Sequence, residues 1–83
     1  MELLYTARFL RSFKKLSTSV QDDCIIAIES FKSGKNKEIK LHKLHGKMKG
    51  YHAFSANFSY RIVVKISGKK VYFMDVGSHV LYG

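Results

Sequence analysis

The spacing of apolar side chains along the chain changes once, and the change divides it into two parts. Met1–Tyr5 is a short apolar run that predicts a strand. Thr6 follows as a candidate N-cap, and a helix is expected from there to about Leu16. Phe9, Leu10, Phe13 and Leu16 recur at helical spacing, while Arg8, Arg11, Lys14 and Lys15 take the other face. Ser17-Thr18-Ser19 interrupts this pattern. Ser19 with Asp22 resembles a capping box for a second helix, whose buried stripe is Val20, Cys24, Ile28 and Phe31. Gly34 is the expected stop, with Lys32 near the negative end of the helix dipole. Two helices joined by so short a break predict an antiparallel hairpin.

Residues 35–50 are polar and basic, with Gly46 and Gly50 as flexible points. Beyond them the period becomes two. Tyr51–Ala56 predicts a strand, and Asn57 begins a turn. In Tyr60–Ile66 the residues Tyr60, Ile62, Val64 and Ile66 alternate with Arg61, Val63 and Lys65. Ser67-Gly68-Lys69 predicts a hairpin turn into a strand at Val71–Val76, and Gly77-Ser78 then releases the chain. The order β-α-α-β-β-β specifies an α+β fold. A helical hairpin should cover one face of a small, mainly antiparallel sheet and leave the other face open to a ligand.

Eighty-three residues accommodate one domain, 1–83. A chain this short buries only about 60% of its unfolded surface, so its core is small. The net charge of +9 is unevenly placed. Residues 1–39 carry seven basic and five acidic side chains, whereas residues 40–83 carry eight and one. From Ile39 to Met74 there is no Asp or Glu, and three of the four His fall in that stretch. Such one-signed potential attracts phosphate. The lone Cys24 excludes an internal disulfide and suits a reducing cytoplasm, and its neighbours Ile25, Ile26 and Ile28 suggest a buried thiol. The N-terminus has neither the basic start nor the apolar run of a secretion signal, and no segment is long enough for a transmembrane helix. The expected setting is cytoplasmic, with no membrane partner.

The four His raise the question of metal. His42 and His45 lie three apart, but there is no His-Glu-x-x-His, no Cys pair, and only Asp75 as a carboxylate nearby. A field of lysines repels a cation, so neither a metal nor any other cofactor is expected. A Gly-x-Ser-x-Gly elbow is also missing, which argues against Ser/His/Asp hydrolysis. Metal-free phosphodiester cleavage fits better. Cutting RNA through its own 2′-hydroxyl needs a base, an acid and cations on the phosphate. Histidine can serve as either proton carrier near neutrality, arginine offers a bidentate fork, and lysine a point charge. Aromatic rings stack on unpaired bases. All of these occur in the second half of the chain. A plain RNA-binding sheet would satisfy much of the same pattern.

Three blocks carry a resemblance: Leu44-His45-Gly46-Lys47-Met48-Lys49-Gly50-Tyr51, then Tyr60-Arg61-Ile62-Val63, then Asp75-Val76-Gly77-Ser78-His79 with Tyr82. Their order and spacing resemble the RelE/ParE superfamily of type II toxin–antitoxin modules, nearest the RelE and YafQ-like mRNA interferases. The resemblance spans the whole chain and implies a RelE-like fold. It implies a ribosome-dependent endoribonuclease neutralised by a cognate antitoxin protein. Its alternatives are a ParE-like inhibitor of DNA gyrase and a catalytically weakened RNA-binding homologue.

By resemblance, Arg61 matches the mid-strand arginine that contacts phosphate, and His79 the position held by histidine in YafQ-like members. Tyr82 matches the terminal aromatic that stacks on substrate, and His42 a loop histidine. Ser55 replaces a second strand histidine, and His52 and Phe54 stand where RelE proper has two strand lysines. The general base is then His52, His42 or His79 itself. Lys43, His45, Lys47, Lys49 and Phe54 complete the expected RNA-binding set. The implied partners are mRNA, the ribosome and the antitoxin, with DNA touched only through a toxin–antitoxin complex.

Overall fold

The computed structural model describes residues 1–82, the last two through their backbone only. Its elements run β1 (Glu2–Tyr5), α1 (Ala7–Lys14), α2 (Thr18–Lys32), β2 (His42–Lys43), a short 3₁₀ turn (Gly46–Met48), β3 (His52–Ser55), β4 (Tyr60–Ser67), β5 (Lys70–Ser78) and α3 (His79–Tyr82). The strands form one five-stranded sheet in the order β1-β5-β4-β3-β2. Only β1 and β5 pair in parallel, with the helical hairpin as part of the long connection between them.

Thr6 joins the first strand to the first helix and both to the sheet. Its Oγ1 accepts from Phe9 N at 3.2 Å, as an N-cap should, and donates to the Phe73 carbonyl at 2.7 Å. The second helix starts two residues earlier than the capping-box pattern predicts. Ser17, not Ser19, is the N-cap, because its Oγ accepts from Val20 N at 3.3 Å and Ser19 already lies within the first turn. Gly34 ends this helix at φ +76°, a conformation in which a side chain is strained. There Lys35 N donates to Ser30 O at 3.0 Å and Gly34 N to Phe31 O at 3.1 Å, the paired bonds of a Schellman motif.

The core lies between the hairpin and the sheet. Phe9, Cys24, Ile28 and Phe31 from the helices meet Phe54, Ile62, Val64, Val71 and Phe73 from the strands. Phe31 and Phe54 stack at 5.0 Å, and Phe73 stands edge-on to both. Ala27 joins the expected stripe of α2. Leu10, Ile25 and Ile26, by contrast, point to solvent.

The sheet differs from expectation in three places. His42–Lys43 is a strand, too short for alternation to reveal, so His42 belongs to the sheet and not to a mobile loop. The last strand continues past Val76 to Ser78, and the chain then turns straight into α3. A bulge between β4 and β5 pairs Val63 with Asp75 but Val64 with Phe73. Met74 is thus the extra residue, and Phe73 and Val76 both reach the core despite a spacing of three.

The sheet face away from the helices is not left bare. Ala53 and Val63 on it are fully buried, and Met48 and Tyr51 border a cavity of about 260 Å³ with Val63 and Asp75. The segment after β2 therefore covers the middle of that face. The two ends of that face remain accessible, one around Ser55, Arg61 and Gly77 and the other around Lys65.

Candidate nucleic-acid interface

Residues paired across neighbouring strands point to the same side of a sheet. Ser55 pairs with Arg61 and Arg61 with Gly77, so these three share a face. His42 pairs with Ala53, two positions along β3 from Ser55, and so takes that face too. From strand spacing, Arg61 and His42 lie roughly 12 Å apart at their Cα atoms. Their side chains can reach one phosphodiester between them. Gly77 opposite Arg61 brings no side chain to crowd the guanidinium.

Arg61 is half-buried, and its guanidinium is held at one terminal nitrogen. That nitrogen, Nη1, donates to the carbonyls of Asn57 (3.2 Å), Tyr60 (3.3 Å) and Phe58 (3.4 Å). Among the described residues no carboxylate forms an ion pair with it. The guanidinium is positioned by backbone oxygens, and its charge is left for an external anion.

The β3–β4 turn that holds Arg61 is itself fixed. Asn57 Oδ1 accepts from Ser59 N at 2.8 Å and Tyr60 N at 3.0 Å, the self-capped turn that Asn favours. Its Nδ2 donates to Asp23 Oδ2 at 2.9 Å, tying the turn to α2. His79 docks on the same turn, since its backbone N–H donates to Ser59 O at 2.8 Å. The His79 ring is exposed and lies 6.2 Å from the Phe58 ring. Arg61, His79 and Phe58 thus converge at one end of the sheet. Beside Arg61 and Phe58 opens a cleft of about 470 Å³, walled also by Ile26, Glu38 and Lys40; His79 is not part of its lining.

His42 has its ring Nδ1 2.9 Å from the Lys40 carbonyl. A carbonyl only accepts, so that nitrogen donates, and in the neutral ring Nε2 is then the acceptor. His52 pairs with Lys43 and Val64 and so faces the other side of the sheet from Arg61. Its Nδ1 is buried without a hydrogen-bond partner. Burial lowers its pKa from the ordinary 6.5, and the Lys43 and His42 charges lower it further.

Of the remaining expected residues, Lys43, His45, Lys47 and Lys49 are exposed around the segment after β2. Lys43, His45 and Lys49 border a second cavity of about 460 Å³ with His52. Phe54 is not available to RNA. It is fully buried and stacked on Phe31, because its place on β3 turns it toward the helices. The Tyr82 side chain lies outside the described residues. Phe58 was not among the expected site residues, although an apolar ring between Asn57 and Ser59 in a polar turn was a visible signal. Among the described residues no cluster of His, Cys, Asp or Glu could hold a metal ion, and no helix is long and apolar enough to cross a membrane.

No protein-family model matches the chain. No curated protein matches it either. Solved structures do. The toxin in the E. coli DinJ-YafQ toxin-antitoxin complex superposes with a TM-score of 0.77 at 18% identity, over 99% of this chain and 97% of that one. In the RelB-RelE antitoxin-toxin complex from Methanococcus jannaschii the TM-score is 0.75 at 16% identity, over 95% and 93% of the two chains. A YoeB/ParE toxin from Agrobacterium tumefaciens gives 0.69 at 17% identity, over 95% and 99%. The chain therefore has the fold of the RelE-like toxins along essentially its whole length.

Proposed function

We propose that this protein is the toxin of a type II toxin–antitoxin module and cleaves mRNA on the ribosome. The observation that carries this reading is Arg61, near the start of β4. It is held by turn carbonyls, has no acidic partner among the described residues, and shares one sheet end with His79. The fold that carries these residues is similar to that of the YafQ and RelE toxins.

The chemistry follows from the groups present. A base takes the proton from an RNA 2′-hydroxyl, the freed oxygen attacks the adjacent phosphorus, and the 5′-oxygen leaves with a proton. The product ends are a 2′,3′-cyclic phosphate and a 5′-hydroxyl. Arg61 meets the charge that builds on the non-bridging oxygens. His79, exposed at the start of α3, donates the proton to the leaving oxygen. His42 is the base, since its Nε2 is the free acceptor on the Arg61 face. His52 lies on the opposite face and is not assigned the role. Tyr82 follows His79 within α3 and stacks on the substrate.

Lys43, His45, Lys47 and Lys49 dock on messenger or ribosomal RNA as point charges. The open sheet end cannot enclose a substrate, which fits dependence on a ribosome that holds the RNA in reactive geometry. Such a toxin works in the cytoplasm. Its antitoxin should be acidic and apolar, to cover the basic second half of the chain and its apolar seams.

The test is expression of the parent, Arg61→Ala and His79→Ala in growing bacteria, with mRNA ends mapped on ribosomes. Cleavage by the parent that is lost in both variants is expected. Equal cleavage by all three would remove the catalytic assignment. DNA damage without RNA cleavage would transfer the function to gyrase inhibition.

A further inference from the structure

We infer that Phe58 is the platform on which one unpaired RNA base stacks, with the cleft beside it as that base's pocket. The inference rests on the mRNA-cleaving reading above and names how that site would select its substrate.

Phe58 has no structural reason to be aromatic. Its ring is 88% exposed, and the turn around it is built by the Asn57 side chain and by the Arg61 guanidinium. A polar residue there would satisfy the same backbone. The ring's surroundings are those of a nucleotide site. The Phe58 carbonyl accepts from Arg61 Nη1 at 3.4 Å, so the backbone of the platform is tied to the proposed phosphate ligand. The His79 imidazole lies 6.2 Å from the ring centre and is tilted 56° to it. Phe58 and Arg61 line the same cleft, so one bound strand can present a phosphate to Arg61 and a base to Phe58.

The cleft supplies what stacking alone does not. Its volume of about 470 Å³ exceeds what a single base needs. Exposed Ile26 gives it a further apolar side chain besides Phe58. Glu38 offers acceptors and Lys40 donors at its rim, the two kinds of group that distinguish base edges. Stacking is tolerant of base identity, so Phe58 contributes affinity and the Glu38 and Lys40 edges contribute preference. An antitoxin segment could also cover an exposed ring. The cations on either side of Phe58 favour the nucleic acid.

The chain contains no tryptophan, so Phe58→Trp creates a single reporter at this position. The variant is titrated with a 2′-O-methyl RNA oligonucleotide, which lacks the attacking hydroxyl, and with copies carrying one abasic site at each position in turn. In parallel, Phe58→Ala and Phe58→Tyr are assayed for mRNA cleavage on ribosomes. Quenching of tryptophan emission that is lost at one abasic position is expected. Phe58→Ala should lose about tenfold in cleavage efficiency with altered base preference, and Phe58→Tyr should keep both.

Quenching without cleavage by any variant would support the base site and remove the cleavage reading. Parent-like cleavage by Phe58→Ala, with unchanged preference, would overturn the inference while the function stands. Weakened antitoxin binding as the sole effect of Phe58→Ala would overturn it in favour of a protein contact. Bound oligonucleotide that leaves the emission unchanged would overturn it as well, as would absence of both binding and cleavage.

Discussion

Asp75 pairs with Arg8 and not with Arg61, although Asp75 and Arg61 lie on adjacent strands. Arg8 Nε donates to Asp75 Oδ2 at 3.2 Å across 67 residues of sequence. Asp75 Oδ1 accepts from Ser12 Oγ and from Val76 N. The only acidic residue of the second half is thereby committed to α1. The first helix thus holds the carboxylate of the strand next to Arg61, and Arg61 forms no ion pair among the described residues.

This bonding sets an order of stabilities. Asp75 is nearly buried, and replacing it with Ala strands the Ser12 hydroxyl and the Val76 N–H. The expected cost of Asp75→Ala is about 2–4 kcal/mol. The Arg8 side chain is 69% exposed, so Arg8→Ala should cost less than about 1 kcal/mol. Urea unfolding of the two variants checks the order, and an equal loss in both would show that the ion pair itself dominates.

Arg61→Lys keeps the charge but loses the fork. Lysine cannot hold three turn carbonyls and a phosphate at once. Cleavage should fall by roughly 10–100-fold, against about 100–1,000-fold for Arg61→Ala. Single-turnover rates on ribosomes measure the difference. A lysine variant as fast as the parent would mean that charge alone is required.

Phe54 and Phe58 stand four residues apart and should behave oppositely. Phe54 is buried against Phe31 and Phe73, so Phe54→Ala should cost about 3–5 kcal/mol. Phe58 is 88% exposed, and Phe58→Ala should leave the melting temperature within error of the parent. Thermal unfolding followed by circular dichroism checks both.

The contrast between these two rings shows what was legible in the sequence. Helix period, turn chemistry and strand alternation located β1, both long helices and the last three strands, because each rests on several residues at once. His42–Lys43 offers two residues and no period, so β2 was invisible. Alternation also leaves open which face meets the helices. The resemblance sets Phe54 beside Arg61 at the ligand, whereas the pairing of Ser55 with Arg61 puts Phe54 on the other side. The bulge at Val63/Val64 is a property of two strands together, which neither sequence carries alone. Charge marks Arg61 and strand-end position marks His79 in the sequence, and the two lie at one end of the sheet. Phe58 is marked only by its apolar ring in a polar turn, with no period around it to single it out.

His52 should make stability fall in mild acid. Its folded pKa is lowered from 6.5, first by burial, then by Lys43 and His42. The unfolded chain therefore takes up the proton first as pH drops. The contribution is intact above about pH 6.5 and is lost as pH falls through the lowered folded value. Denaturation midpoints of the parent should decline across that window, and those of His52→Gln should decline less. Identical pH profiles would show that His52 is as well solvated folded as unfolded.

Cys24 should be silent in the folded protein and reactive only when the chain opens. Its side chain is fully buried between α2 and the sheet. Burial pushes the thiol up to about 11, and the neighbouring Asp23 carboxylate pushes in the same direction. The reactive species is the thiolate, so both accessibility and ionisation oppose reaction in the native state. With Ellman's reagent at neutral pH and no denaturant, labelling should be limited by opening of the fold. It should accelerate through the urea transition, in step with the loss of circular dichroism. Ser12 and Asp75 lie away from this thiol, so Asp75→Ala should raise the native labelling rate only through global stability, by about tenfold for each 1.4 kcal/mol lost. Rapid labelling of the parent in native buffer would mean that α2 lifts from the sheet on its own, without global unfolding.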